Sequence, residues 1–383
     1  MKKIIAMLLV MLMAVSAVAC AAPAAAPAPA AEPAPAAAEP APAAEPAPAA
    51  EPAAEPTLVG VAMPTQSLQR WNQDGANMKS QLEAKGYEVD LQYAENDVAT
   101  QVSQLENMIL KGCKVLVIAS IDGSSLSNVL QTAADNGVKV IAYDRLIMDT
   151  PNVDYYATFD NYMVGTIQGT YIKDALDLDN TDKTFNFEVF GGSPDDNNAY
   201  FFYNGAMDVL TPYIESGKLI NNSGKVGMDV VGILGWGSAD AQAEMDNRLS
   251  AFYTDKNVDV VLSPNDSLAF GIASSLEAQG YGTADKPYPI ITGQDCDKPN
   301  VKNMIAGKQS MSVFKDTRTL AEKVVGMVDA IMQGTEPEVN DTSTYNNNVK
   351  DVPSYLCEPV FADVNNYKAL LIDSGYYTEA DLA

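Results

Sequence analysis

From residue 58 onward, short apolar runs alternate with stretches whose apolar positions recur every three to four residues. The runs Leu58–Met63, 88–93, 115–119, 138–143 and 155–159 are rich in β-branched and aromatic side chains, which predicts strands. Between them, the segment 71–85 places Met78 and Leu82 on one face, and 98–111 places Val102, Leu105 and Ile109 at i, i+3 and i+7, which predicts amphipathic helices. Lys85-Gly86 and Lys111-Gly112 read as helix ends, with a basic last turn and a glycine just past it. Val115-Leu116-Val117-Ile118 has no polar face, as expected of a parallel strand covered on both sides.

A second series begins past Tyr162. Strands are expected at 185–190, 230–234, 258–262 and 289–292, with helices near 198–214, 239–252, 267–279 and 301–306. A strand at 310–314 and a helix at 318–332 follow, and the tail 352–383 reads as short strands and turns returning to one of the two halves. Two strand–helix series predict an α/β protein of two doubly wound, Rossmann-like lobes.

The first 56 residues follow another pattern. Lys2 and Lys3 precede an apolar run that is too short to span a membrane and ends in small residues, the layout of a secretory signal over residues 1–19. Ala17-Val18-Ala19 suits ordinary cleavage, and with Cys20 it is similar to a bacterial lipobox, although Ala17 stands where Leu is usual. Residues 21–56 are only Ala, Pro and Glu, which favours an extended polyproline tether on the order of 100 Å long at about 3.1 Å per residue. A tether of that kind favours lipidation at Cys20 over free secretion, with residues 20–56 as a lipid-anchored linker to the membrane. The protein is then expected on the outer face of the cytoplasmic membrane or in the periplasm. Cys113, Cys296 and Cys357 lack C-x-x-C spacing and read as small buried residues.

Composition narrows the chemistry. Lys plus Arg number 24 against 50 Asp plus Glu, for a net charge of −26, which disfavours nucleic acid as a partner. The chain has no histidine, so Ser-His and Cys-His nucleophile pairs and His-ligated metals are excluded. Neither G-x-x-x-x-G-K-[ST] nor G-x-G-x-x-G occurs, and no cofactor is expected. Asp177-x-Asp179-x-Thr181 mimics a calcium loop but has Asp182 where the sharp turn needs Gly, so no metal is expected there.

Polar and aromatic residues gather instead at the expected strand ends, where open α/β sheets bind ligands. Arg70 and Trp71 follow the first strand, Asp122 the third and Asp144-Arg145 the fourth. The second series contributes the string from Gly191 to Asn198, Trp236, Asn265-Asp266 and Gln294-Asp295, and Lys315 closes the late strand. Flat rings cover the C–H faces of a sugar, while Asp, Asn and Arg bond its neighbouring hydroxyls. Taken singly, Asp196 or Asp266 reads equally well as a helix cap, and either tryptophan as packing.

Val61-Ala62-Met63-Pro64, Arg70-Trp71, Ala119-Ser120-Ile121-Asp122-Gly123, Val140-Ile141-Ala142-Tyr143-Asp144-Arg145, the Gly191–Asn198 string and Phe314-Lys315-Asp316 carry a resemblance. From Leu58 to the C-terminus the chain resembles the bacterial xylose-binding and multiple-monosaccharide-binding proteins, which are solute receptors of ABC sugar importers. The resemblance implies a type I periplasmic binding protein fold whose lobes are joined by a three-crossover hinge. It places residues 57–161 with 315–349 in the N-terminal lobe and 162–314 with 350–383 in the C-terminal lobe, with hinges near 160–162, 314–316 and 348–352. It implies a monomer in which Arg70, Asp144, Arg145, Asn198, Asp266, Asp295 and Lys315 bond a monosaccharide such as xylose, glucose, galactose or arabinose. Trp71 and Trp236 would sandwich the sugar, and Asp122 and Asn265 would add contacts. The closed lobes would then dock on an ABC transporter permease.

Two rival readings remain. One is a sugar sensor that presents its closed form to a chemoreceptor or sensor kinase. The other is a hydrolase built on a carboxylate pair such as Asp195 and Asp266, which would need an open path for a polymer.

Overall fold

The computed structural model describes residues 57–383; the expected signal segment, Cys20 and the 20–56 linker lie outside the described residues. The first half holds β1 (Leu58–Met63), α1 (Gln69–Ala84), β2 (Glu88–Tyr93), α2 (Val98–Leu110), β3 (Val115–Ile118), α3 (Ser127–Asp135), β4 (Lys139–Tyr143) and β5 (Tyr155–Phe159). With a late strand, β11 (Ser354–Cys357), these strands form a six-stranded, all-parallel sheet in the order β11-β5-β4-β3-β1-β2. Every residue of β3 is buried, as its unbroken apolar run requires. Gly86 and Gly112 take φ of 89° and 87° just past α1 and α2, where a Cβ would strain the turn.

The second half contributes α4 (Asn161–Ala175), β6 (Phe185–Val189), α5 (Asn197–Glu215), β7 (Leu219–Asn221), α6 (Met228–Val231), α7 (Ser238–Phe252), β8 (Val260–Leu262), α8 (Asp266–Ala278), β9 (Ile290–Ile291) and α9 (Lys298–Ile305). Its parallel sheet runs β7-β6-β8-β9. The antiparallel pair β10 (Met311–Phe314) and β12 (Val360–Asp363) extends it through a single bridge between Gln294 and Val313. The helix α10 (Thr317–Gln333) returns to the first half, where it packs on α1. A short α11 (Glu379–Leu382) ends the chain against α9. Among the described residues no helix is long and apolar enough to cross a membrane.

Two expectations change. The run 230–234 is not a strand: residues 228–231 form a helical turn, and Gly227 and Gly235 adopt positive φ on either side. Met228, Val231 and Ile233 are buried while Val230 is exposed, a spacing that a flat strand does not give. The last passage between the sheets also falls later than 348–352. Ser354–Cys357 still pairs with β5 and covers its open edge, so residues 350–357 go with the first sheet and the chain leaves it at Glu358-Pro359. The strand β7 and the helices α3 and α4 stand in addition to the expected elements. Cys113, Cys296 and Cys357 are all buried and unbonded.

Candidate functional site

The strands of both sheets end at one cleft lined by residues of both halves, the place where open α/β sheets bind ligands. Its lining comes from helix starts and post-strand turns. Arg70 and Trp71 open α1, and Asp144 and Arg145 follow β4. Asp196 caps α5, and Asn198 lies in its first turn. Trp236 sits in a tight turn before α7, Asn265 caps α8, Gln294 and Asp295 follow β9, Asp297 precedes α9, and Lys315 joins β10 to α10. Leu68, Phe202 and Ser267 complete the wall.

These side chains form two buried ionic clusters, one around Arg70 and one around Arg145. The Arg70 guanidinium donates to Asp74 Oδ2 at 2.8 and 3.0 Å, to Asp144 Oδ2 at 2.9 Å, and across the cleft to Asp295 Oδ1 at 3.4 Å. Lys315 Nζ lies 3.1 Å from Asp295 Oδ1 and 3.9 Å from Asp144 Oδ2. Arg145 Nε forms an ion pair with Asp196 Oδ2 at 2.9 Å, and that oxygen accepts a hydrogen bond from Trp236 Nε1 at 3.2 Å. The Asp144 carbonyl takes bonds from Tyr156, Thr158 and Asn198, the last at 2.7 Å from the opposite half.

The charges set each other's ionisation. Burial pushes the Asp144 carboxyl up, but Arg70, Lys315 and Arg145 outweigh it and hold its pKa below the usual range. Burial works against the Arg70 charge too, and Asp144, Asp74 and Asp295 overcome it, leaving that guanidinium firmly protonated. Asp297 differs: burial, then the neighbouring Asp295 charge, push it up to about 7 against weaker pull from Arg70 and Lys315.

Three lining residues hold strained backbone: Asp144 at φ 60°, Trp236 at 57° and Asp295 at 94°. Such conformations cost roughly 1–3 kcal/mol each, which the surrounding bonds must offset. Gly192 makes room for the Trp236 ring, since a Cβ there would sit 2.0 Å from Trp236 Cη2. Around Trp71, the guanidinium carbons of Arg70 and Arg145 lie 4.4 and 5.1 Å from the ring centroid.

Nine expected residues meet in the cleft: Arg70, Trp71, Asp144, Arg145, Asn198, Trp236, Asn265, Asp295 and Lys315. Asp122 does not, because its carboxylate is engaged by Ser124 N and Ser125 Oγ in its own turn. Asp266 lies beneath the floor, fully buried, and accepts from Gln309, Ser312 and the Asp297 amide. Neither Asp195 nor Asp266 lines the cleft, so that particular carboxylate pair is not assembled there. Asp196 is visible in sequence only as a cap and turns out to do both jobs. Asp297 and Phe202 carry no sequence signal of their own; Asp297 lies two residues past Asp295, the nearest hint available. Asp177 and Asp179 form a turn held to Asn180 and Lys173, and among the described residues no acidic or thiol group is placed to hold a metal.

Comparison with known proteins places the chain in a family. The family described as "Periplasmic binding protein domain" matches residues 59–336. The multiple sugar-binding periplasmic protein SbpA of Azospirillum brasilense is 59% identical over 328 residues, 86% of this chain and 92% of that one. The D-xylose-binding periplasmic protein of Escherichia coli is 37% identical over 332 residues, 86% of this chain and 93% of that one. A crystal structure of an ABC transporter solute-binding protein from Clostridium phytofermentans with bound β-D-glucose superposes with a TM-score of 0.83 at 61% identity, covering 85% of this chain and all of that one. With most of its length matched and its two-sheet fold shared, the chain belongs to the periplasmic binding protein family.

Proposed function

We propose that this protein is an extracytoplasmic receptor that closes on one monosaccharide, an aldose of the glucose type, and delivers it to an ABC importer. One observation carries the reading: Trp71 Nε1, Gln294 Oε1 and Asp297 Oδ1 are buried at the cleft without protein partners. Buried polar atoms left unpaired cost about 1–3 kcal/mol each, so a ligand rich in hydroxyls gains by satisfying them. The Trp71 and Trp236 rings supply apolar faces. Lining groups from both halves bond the ligand together only when the lobes meet, so binding favours the closed form by differential contact. The solute-binding relatives of known ligand, including one holding β-D-glucose, support this class.

On this reading the protein catalyses nothing and needs no cofactor or metal. The closed form docks on a permease, and Cys20, lipidated after removal of residues 1–19, tethers it through the linker to the membrane. Thermal unfolding of the full chain with D-glucose, D-xylose, D-galactose and L-arabinose tests the proposal. A micromolar ligand at millimolar concentration stabilises the native state by about 4 kcal/mol, an easily read shift. A flat response to every aldose would refute it.

A further inference from the structure

The start of α9 lacks a cap from its own chain segment. Asp297 stands at the N-cap position, which normally accepts from the first turn, yet its side chain makes no capping bond. Pro299 removes one amide from that turn, leaving the Lys298 N–H as an early donor that needs an acceptor. The acceptor comes from the other half of the molecule: Gln69 Oε1, on the first residue of α1, takes the Lys298 N–H at 3.2 Å. The same amide donates through Nε2 to Tyr377 Oη at 2.7 Å. The Tyr377 hydroxyl in turn donates to the Cys296 carbonyl at 3.0 Å, beside the lining residues Asp295 and Asp297.

Tyr377 belongs to the C-terminal tail, which packs on the second half with Cys296, Phe314 and Leu371. Next to it, Tyr376 Oη accepts or donates with Thr317 Oγ1 at 3.2 Å and bonds Gln73 Oε1 at 3.2 Å, both on the first half. Gln69 does not line the cleft, although Leu68 and Arg70 on either side of it do.

We propose that Gln69 and Tyr377 form a latch, a pair of positioning residues that hold the lobes closed without touching the ligand. Gln69 caps α9 across the cleft, which leaves Asp297 free to face the solute. Tyr377 ties that cap to the backbone of the 295–297 turn. The bonds exist only while α1 and α9 are in contact, so they add to the stability of the closed state and slow release equally for every ligand. The proposal rests on the receptor reading above, since it concerns closure on that same site.

The test uses the full chain with D-glucose and D-xylose as probes. Gln69→Ala and Tyr377→Phe should each speed release of both sugars by about tenfold, with association changed less than twofold. The double variant should be little worse than either alone, because the two groups share one bonded chain. Gln69→Glu keeps an acceptor over the α9 amide and should recover part of the loss. Unchanged release rates, or effects that differ between the two sugars, would overturn the latch. Hydrogen exchange at the Lys298 amide with D-glucose bound reads the same contact directly. Protection in the bound wild type that Gln69→Ala removes supports the latch, and equal exchange in the two bound proteins overturns it. Failure of the wild type to bind either sugar counts against the receptor reading instead.

Discussion

Arg145 and Asp196 face each other across the cleft, with Arg145 Nε 2.9 Å from Asp196 Oδ2, and the same carboxylate oxygen accepts from Trp236. One carboxylate thus joins the first half to the second and sets the position of an aromatic wall. Burial raises the Asp196 pKa, and Arg145 opposes the rise, so the carboxylate relies on this partner for its charge.

Removing a charge from the central network should abolish binding while the fold survives. Asp144→Ala leaves Arg70 with Asp74 and Asp295, and Asp295→Ala leaves it with Asp74 and Asp144. Either variant should lose at least 100-fold in D-glucose affinity by calorimetry, as truncating one member of a buried charged pair costs about 2–5 kcal/mol. Retention of cooperative thermal unfolding separates this from misfolding, and near-native affinity in either variant would contradict the assignment.

The two aspartates outside the cleft should behave differently. Asp122→Ala should leave affinity unchanged, because its carboxylate serves only the turn at Ser124 and Ser125. Asp266→Asn should destabilise the floor of the cleft, since both carboxylate oxygens accept hydrogen bonds and the amide NH2 would face one of those donors. Asp266→Ala should lose about 1–3 kcal/mol of stability through the stranded Gln309 and Ser312 donors. A large drop in affinity for Asp122→Ala would return that residue to the binding set.

Gly192→Ala should move the Trp236 ring. The new Cβ would meet Trp236 Cη2 at 2.0 Å, and Gly192 is held close to this turn by the bond from Ile233 N to its carbonyl. Affinity should fall about tenfold or more, and the tryptophan emission of the sugar-free protein should shift. Overpacking should cost roughly 1–3 kcal/mol in stability. An unaltered spectrum would show that the ring does not depend on this gap.

Asp297 predicts a pH dependence of a definite sign. Its folded pKa, about 7, exceeds the ordinary carboxylate value, so the folded state binds the proton more tightly. The stability this confers is complete below about pH 4 and is lost as pH rises through 7. Asp297→Asn should remove that component and flatten the fall in unfolding temperature between pH 5 and 8. Parallel curves for the two proteins would show that Asp297 does not titrate there.

Much of this protein was legible in the order of its residues. Val115-Leu116-Val117-Ile118 could only be a covered parallel strand, because four consecutive apolar side chains need burial on both faces. Two strand–helix series fixed the α/β class, and the rule that ligands sit beyond strand ends picked out Arg70, Trp71, Asp144, Arg145, Asn198, Trp236, Asn265, Asp295 and Lys315. What sequence could not distinguish was the direction of a side chain within a helix-start turn. Asn265 and Asp266 are adjacent, yet the first lines the cleft and the second lies beneath it, because consecutive residues around a helix start point to different sides. The run 230–234 looked like a strand by composition, and only the glycines at positive φ and the packing of Met228 and Val231 decided otherwise. The pairing of β11 with β5 and the meeting of Gln69 with Lys298 join residues far apart in the chain. Local pattern specifies elements and which face of each is buried; contacts between distant elements arise only when the sheets and the tail are packed together, and here those contacts close the site.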